Sequence, residues 1–466
     1  MKQKPEQGNP SSRDLIRGVM DACTNCDICR FMMDESCLFF PELYRLFDKE
    51  KEAGTNVTDE ALKRLASLCT LCGLCPCPNI RADILLSKAA RVREQGIRAG
   101  ERLLADVQNA CRLGGRFPWL INTFLSINPV EKITKRMGGI SQKRALPRLP
   151  KENFFSWAQK NGLTRKPAGQ PKAAYFAGCT AGFLFPEVAR AAVAVLKQNH
   201  IAVYVPPQQC CGMPTLLEGM AALTRQRVQD NLRTLLDAAD TGFDLVCTCP
   251  TCGFFMKKLL REGAHYSQAF QKSVSAGADE IRVPGKIGKE GYVSLKKSIY
   301  GDLLADNPNF SAIDPMARIA LSEKLSDMGQ YLERLHLKGL LDTNLGRINN
   351  RMVYFTPCHQ REQNIGSPYE NLLFMIPGLD LIHVGGDMDC CGMGGSLGFK
   401  EGFHGDSIRL GQPLAEKIKA ASPYAIVTDC LSCRLQFRHL LPELPVYHPL
   451  ELLASAYKNE KTIIRP

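Results

Sequence analysis

Cys390 and Cys391 stand side by side in DMDCCGMGGSLGF, residues 387–399, and Cys210 and Cys211 repeat the arrangement in QQCCGMPTLLEG. Adjacent thiols suit a disulfide badly, because the small ring they would close is strained against ordinary S–S geometry. Each pair belongs to a set of five. Cys179 precedes the first pair and Cys249 and Cys252 follow it, as C-x30-CCG-x36-C-x2-C. Cys358, Cys430 and Cys433 frame the second, as C-x31-CCG-x37-C-x2-C. Gly212 and Gly392 come directly after the pairs, where a residue without Cβ lets backbone approach sulfur or adopt positive φ. The pairs therefore read as corners of metal sites. A phosphate loop is the rival for CCGMGGSLGF, but Gly-Lys-Ser/Thr is missing and the G-x-G-x-x-G spacing is not met.

Two further runs lie near the N-terminus, CTNCDIC with Cys37 beyond it, and CTLCGLCPCP. Cys-x-x-Cys-x-x-Cys triplets place three thiolates around one corner of an iron–sulfur cube, and a remote cysteine completes the set. In ferredoxin-type runs the fourth cysteine serves the other cluster and is followed by proline. That logic groups Cys23, Cys26 and Cys29 with Cys77, which precedes Pro78, and Cys69, Cys72 and Cys75 with Cys37. The spacing departs from the ferredoxin pattern twice, at the long gap before Cys37 and at the single residue, Pro76, before Cys77. Zinc is the competing occupant, since paired Cys-x-x-Cys also makes closed zinc sites.

The 20 cysteines of this 466-residue chain are too clustered for a disulfide scaffold, which belongs to short secreted chains. The opening MKQKPEQGNPSSRDLIRG lacks the apolar core of a secretory signal, so a cytoplasmic, reducing compartment is expected. Residues 117–130, FPWLINTFLSINPV, fall short of the ~20 apolar residues of a membrane-spanning helix. The net charge of +12 is concentrated: residues 81–172 hold 19 Lys and Arg against 6 Asp and Glu. That segment also carries Phe117, Trp119, Leu120, Phe124, Leu125 and Ile127. Basic residues around an aromatic, apolar core predict attachment to anionic lipid. The plainer alternative is a linker whose apolar residues pack on neighbouring domains. Nucleic acid is not expected, because no recognised motif accompanies the charge.

These cysteines need elements to hold them, and the chain supplies them twice. AAYFAGCT matches MVYFTPCH, QQCCGMP matches MDCCGMG, and LVCTCPTCGFFMK matches IVTDCLSCRLQFR, at offsets of 179 to 181 residues. Three blocks in one order at a nearly constant shift make an internal duplication. In each copy short apolar runs end at cysteines and alternate with helical stretches, the pattern of an α/β unit with a parallel sheet. Sites form where chains leave the ends of such strands. PELYRLFDKEKEAG and TDEALKRLASL predict two helices between the N-terminal cysteine runs, the second capped by Thr58. A single helix is expected over MARIALSEKLSDMGQYLERLHLKGLL. The expected layout is a helical ferredoxin-type domain over 1–90, a basic amphipathic segment over 91–172 and α/β domains over 173–263 and 351–466. A helical connector over 264–350 joins the two α/β domains.

The two five-cysteine patterns resemble the paired CCG domains of the heterodisulfide reductase group. With two ferredoxin-type runs in front, the layout is similar to the cysteine-rich subunits of anaerobic glycerol-3-phosphate dehydrogenase and heterodisulfide reductase. The resemblance implies an iron–sulfur subunit that relays electrons between a flavoprotein dehydrogenase and the membrane quinone pool, peripheral on the inner face of the membrane. It further implies two [4Fe–4S] clusters in the N-terminal domain and one or two noncubane [4Fe–4S] clusters at the CCG motifs, where zinc occupies the motif in some relatives. Two other functions stay open. Cys390 and Cys391 would be catalytic if the second CCG cluster cleaves a disulfide, and a zinc-loaded chain would be a scaffold. Cys111 and Cys247 lie outside every motif and read as packing thiols. His359 reads as a core residue, with a hydrogen bond to a cluster sulfur as the alternative.

Overall fold

AAYF and MVYF are apolar at every position, so each suits a strand covered on both faces rather than a sheet edge. The computed structural model describes residues 10–33, 36–285, 291–301 and 304–458; the first nine residues of the opening stretch read above lie outside them. Lys172–Phe176 (β1) is an inner strand of the first sheet, between Ala202–Tyr204 (β2) and Asp244–Cys247 (β3). All pair in parallel, with Ala173 opposite Val203 and Ala174 opposite Leu245. An antiparallel hairpin, Glu280–Pro284 (β4) with Tyr292–Lys296 (β5), stands apart, and Leu325–Asp327 (β6) joins the first sheet beside β3. The second sheet repeats the plan. Arg351–Tyr354 (β7) lies between Asp380–His383 (β8) and Ala425–Val427 (β9), and Val446–Tyr447 (β10) closes the far edge. The strand orders, β2-β1-β3-β6 and β8-β7-β9-β10, are equivalent.

The expected single helix over residues 316–341 is broken. It becomes Pro315–Lys324 and Met328–Leu337, with β6 between them. Leu325 pairs with Leu245, and the Asp327 carboxylate accepts from the Gly329 amide at 2.8 Å, capping the second helix. A cap at that point ends one helix and starts another, which a 3.6-residue pattern on both sides conceals. The connector thus completes the first sheet and carries a hairpin, so it is not simply helical.

The two α/β units share one apolar core. Val188, Ala192 and Leu196 of helix Pro186–Gln198 join Leu450, Leu452 and Leu453 of helix Pro449–Tyr457 in it. The N-terminal region is helical as read, with Ser12–Cys26, Phe39–Ala53, Asp59–Leu68 and Pro78–Gln95 around Met20, Leu43, Leu65 and Ile84. Thr58 caps the third of these by accepting from the Ala61 amide. The fourth continues past residue 90 to Gln95. Residues 99–137 form four short helices, Ala99–Ala105, Val107–Gly114, Pro118–Ser126 and Asn128–Met137. Pro118–Ser126 buries none of its residues. Among the described residues, no helix is long and apolar enough to cross a membrane.

His448 begins helix Pro449–Tyr457 as a capping box: its Nδ1 accepts from the Leu450 amide at 3.1 Å, and Glu451 accepts from the His448 amide at 2.7 Å. Burial pulls its pKa down to about 3. In the unfolded chain the same imidazole protonates near ~6.5. The unfolded state therefore takes up the proton first, and stability falls as pH drops below that value. Between pH 7 and 5 the protein should lose about 2 kcal/mol through this one group. Urea unfolding at both pH values should show a smaller loss for His448→Asn, which keeps a cap acceptor without the titration.

Candidate metal centres

The first N-terminal run sits at a helix end. Cys23 and Cys26 lie in the last turn of Ser12–Cys26, and the left-handed Asp27 (φ 60°) turns the chain so that Cys29 follows in Ile28–Met32. Cys77 is the N-cap of Pro78–Gln95. These four come together: burial pushes the Cys23 thiol up to about 12, with further upward pressure from Cys29, Cys77 and Cys26. Cys26 and Cys77 are exposed, so this quartet lies at the surface.

The second quartet lies deeper. Burial lifts Cys37, Cys72 and Cys75 to about 12 each. Cys37 feels Cys69 and Cys75, Cys72 feels Cys37 and Cys69, and Cys75 feels Cys69 and Cys72. The grouping across the two runs is the one the spacing predicts. Loading either quartet must displace protons, because thiolate is the ligand form.

Each five-cysteine set collects at the C-terminal ends of its parallel strands, where a sheet leaves room for a site. In the first, Cys179 opens helix Gly178–Phe183 just past β1 and lies 3.4 Å from Cys210, sulfur to sulfur. Gly178, at φ 71°, is tightly placed: a Cβ there would stand 3.0 Å from the Cys252 sulfur. Cys249 and Cys252 bracket the start of Pro250–Gly253 after β3. In the second set Cys358 begins Cys358–Arg361, Cys430 caps Leu431–Leu440, and Cys433 lies 2.9 Å from Cys391. The upward pull on Cys358 comes from burial and then from Cys72, Cys391 and Cys430.

One thiol in each adjacent pair is set apart electrostatically. Cys211 is pulled down to about 6, chiefly by hydrogen bonds from Cys210 and Cys252. Cys391 is pulled well below the usual thiol range by Cys390 and Cys433 in the same way. The Met213 and Met393 amides help, each two residues past its sulfur. The intervening glycines, at φ 107° and 83°, turn those amides toward the sulfurs. In each pair the second cysteine is therefore favoured as a thiolate over the first, whose thiol is pushed up. Among the described residues, no three Cys, His, Asp or Glu side chains converge as a single-ion site. The thiols instead stand as contacting pairs, an all-sulfur donor set suited to soft metals and to iron–sulfur clusters.

Charge around the two sets differs. Arg144 is 1% exposed and has no carboxylate among its hydrogen-bond partners. It donates to Gln436 Oε1 at 2.6 Å and to the Met393 sulfur at 2.9 Å, and its guanidinium lies 5.1 Å from the Phe399 ring centroid. Burial brings its pKa down to about 10, while nearby Cys391 opposes the shift. At the first set the buried neighbour is the neutral Gln108, whose Oε1 accepts from the Cys210 amide. A fixed cation favours an added electron. Arg144→Gln should therefore lower the reduction potential of a redox centre at the second set and leave the first unchanged, as read by an anaerobic potentiometric titration. Lys88, also buried, donates to the Cys69 carbonyl of the deeper quartet at 2.8 Å, and burial pulls its pKa down to about 8. No spacing rule marks Arg144, Lys88 or Gln108, and the sequence reading missed them.

Both ring nitrogens of His359 are taken by protein oxygens. Its Nε2 donates to the Leu71 carbonyl at 2.9 Å, its Nδ1 accepts from the Thr251 hydroxyl at 2.9 Å, and its ring stacks on Phe254 at 4.8 Å. One imidazole thus ties together the N-terminal domain and both α/β units. Burial lowers its pKa, which keeps it neutral in these bonds. Cys111 and Cys247 are buried in the core of the first unit, as packing thiols should be.

The CCG family of cysteine-rich domains matches this chain twice, at residues 173–257 and 352–438. Over 343 residues the chain is 25% identical to one of the subunits of the anaerobic glycerol-3-phosphate dehydrogenase of Escherichia coli K12, covering 73% of this chain and 72% of that protein. It is 26% identical over 294 residues to one of the subunits of the fumarate reductase (CoM/CoB) of Methanothermobacter marburgensis, covering 61% of this chain and 46% of that protein. An uncharacterized iron–sulfur protein of Methanocaldococcus jannaschii is 23% identical over 434 residues, which cover 91% of this chain and 68% of that protein. The matched spans hold each five-cysteine set whole, from Cys179 to Cys252 and from Cys358 to Cys433, so this chain carries two CCG cysteine-rich domains.

Proposed function

We propose that this chain is the iron–sulfur electron-transfer subunit of a dehydrogenase or reductase complex, relaying electrons between a flavin-containing partner and the membrane quinone pool. The names of the relatives support the class: they are subunits of such complexes or iron–sulfur proteins. The observation that carries the reading is the continuity of the thiol groups. One pocket holds Cys37, Cys69, Cys72 and Cys75 together with Cys358 and Cys390. A second holds sulfurs of both CCG sets, Cys179 and Cys211 from one and Cys391 and Cys433 from the other among them.

The two quartets would hold [4Fe–4S] clusters and the two CCG sets noncubane clusters, which supply one-electron chemistry when bound. The chain's own residues do the rest. Most CCG cysteines are buried and those of the deeper quartet are half-buried, with the buried Arg144 beside the second set and the buried Lys88 beside the quartet. The surface quartet is where a partner would deliver electrons, beside the exposed Ile28, Phe31 and Met32. At the other end, outward Phe117 and Trp119 among basic residues form a face for anionic lipid on the cytoplasmic side.

The test is freeze-quench EPR on the anaerobically purified chain mixed with photoreduced FMN. Iron signals of the N-terminal quartets should appear first and CCG signals later. Cys72→Ser should delay the later signals while sparing those of the surface quartet. Equal rates in the variant would sink the relay order. Thiol release from an added disulfide would point to the disulfide-reductase alternative, and zinc without iron to a scaffold.

A further inference from the structure

Gln436 is the hub of a small polar ring beside the second CCG set. Its Oε1 accepts from Arg144 at 2.6 Å and its Nε2 donates to Ser407 Oγ at 3.3 Å. Ser407 Oγ in turn donates to the Gly392 carbonyl at 2.7 Å, and Arg144 reaches the Met393 sulfur at 2.9 Å. The ring therefore closes on the two residues that follow Cys391. A histidine lies about one helical turn away on each side. His439 is three residues past Gln436 on helix Leu431–Leu440, and His404 is three residues before Ser407 on helix His404–Ala420. Residues three apart share a helix face. The two imidazoles meet edge to face, with ring centroids 5.2 Å apart.

The two rings are held differently. His404 is buried, and its Nδ1 donates to the Gly398 carbonyl at 3.1 Å, which fixes its tautomer. His439 is half-buried and, among the described residues, neither of its ring nitrogens has a hydrogen-bond partner or is closed off from water. Its lone pair is therefore open to a proton. Burial, then Arg144 and His404, hold its pKa down to about 4. The other charges nearby are engaged elsewhere. Asp406, on the His404 helix, is taken by Arg64 and Arg409, while Glu401 accepts from the Gln142 amide and Lys400 pairs with Glu218. On the His439 helix, Arg438 lies over the Phe185 ring and Arg434 bonds Glu451; beyond it, Glu443 pairs with Lys419. Arg144, which has no carboxylate partner, acts on both His439 and Cys391.

That shared cation couples the two sites. Its repulsion disfavours a proton on His439 while nothing offsets it. An electron added at the second set is a negative charge beside Arg144, and it relieves that repulsion. We propose that His439 takes up a proton when the second CCG centre is reduced and releases it on reoxidation. The proposal rests on the electron-transfer reading above. Its balance is one electron, from the N-terminal centres that the flavoprotein partner reduces, and one proton, from water to the His439 lone pair. An N–H bond forms and no bond to sulfur breaks. The first set has no counterpart, since Gln108 is neutral and His359 has both ring nitrogens taken by protein oxygens. Only the second centre thus moves a proton with its electron.

The experiment is an anaerobic potentiometric titration of the full chain from pH 5 to pH 8, followed by EPR. Second-set signals are identified by their loss in Cys433→Ser. In the parent the potential of the second centre should fall as pH rises from 5 and level off toward pH 8. The steepest expected fall is tenfold in the reduction equilibrium per pH unit, or 59 mV for one electron. First-set potentials should stay flat. His439→Gln should abolish the slope, at a half-buried position that no hydrogen bond ties down. Arg144→Gln keeps the imidazole and removes the cation, so the falling region should move to higher pH. A parent potential independent of pH, a slope unchanged in His439→Gln, or a falling region unmoved in Arg144→Gln would overturn the proposal. Failure of the proton step is separable from failure of the relay. A redox-active second set with a flat potential loses only the proton, whereas zinc at that set loses both.

Discussion

Gly392→Ala is expected to empty the second CCG set of metal while leaving the first loaded. Gly392 sits at φ 83°, a left-handed conformation that costs an ordinary L-residue roughly 1–2 kcal/mol. Space is the larger problem. A Cβ there would stand 2.2 Å from the Ser407 carbonyl and 2.7 Å from the Gly411 amide, both backbone atoms of helix His404–Ala420. Neither can retreat as a flexible side chain would. The Gly392 carbonyl also accepts from Ser407 Oγ at 2.7 Å, which locks the turn to that helix. Relief of the clash would move Cys390 and Cys391, and the set would lose its adjacent pair. Iron should fall by about four atoms per chain, the content of one four-iron cluster. Gly212→Ala makes an internal control. Its Cβ would meet no backbone, only Thr224 Cγ2 at 3.1 Å and two ring or methyl carbons farther off, so a smaller loss is expected. Unchanged iron in Gly392→Ala would show that the turn is not what shapes the site.

Arg318→Met should cost about 3–5 kcal/mol, the range for breaking a buried ion pair by removing one partner. Arg318 is fully buried and every donor of its guanidinium group is directed. Nε donates to the Leu260 carbonyl at 2.7 Å, Nη1 and Nη2 hold Asp306 at 3.1 and 3.0 Å, and the Phe310 and Glu262 carbonyls take the rest at 3.2 and 2.9 Å. Methionine fills much of the volume but leaves the Asp306 carboxylate and three carbonyls without their donor. Those groups join the connector to the first CCG domain and so support β6 at the sheet edge. Urea unfolding should show the early loss of that domain. A midpoint within experimental error of the parent protein would mean water or a shifted side chain replaces the guanidinium at no cost.

Much of this architecture was legible because thiols and strands leave strong local signals. The x2–x2 triplets grouped eight N-terminal cysteines into the two quartets that the fold brings together. The near-constant offset of the three repeated blocks predicted two equivalent sheets, and the strand orders agree. The glycines after the pairs are expected to let backbone approach sulfur or to adopt positive φ, and both adopt positive φ, 107° and 83°. The close contact at Gly392 is with backbone of a neighbouring helix, while the glycine nearest a sulfur is Gly178.

What stayed hidden depends on contacts far apart in sequence. β6 is three residues long between two helical stretches, and only its pairing with β3 distinguishes it from a helix turn. Arg144 looks like any cation of a basic stretch until the fold buries it beside Met393 and Gln436. The basic segment offered two readings, lipid face or packed linker. In the fold its helices both present apolar residues outward and wall a cavity inward, which no one-dimensional pattern separates. His359 carried no signal for its role as a three-way tie, because Leu71 and Thr251 lie 288 and 108 residues away in the chain.

The most direct test of the proposed relay is the iron and acid-labile sulfide content of the full chain purified without oxygen. The account predicts about sixteen irons with matching sulfide, four for each of four clusters. Zinc at the CCG sets with only about eight irons would contradict it, because the chain of redox centres would then end at the N-terminal quartets.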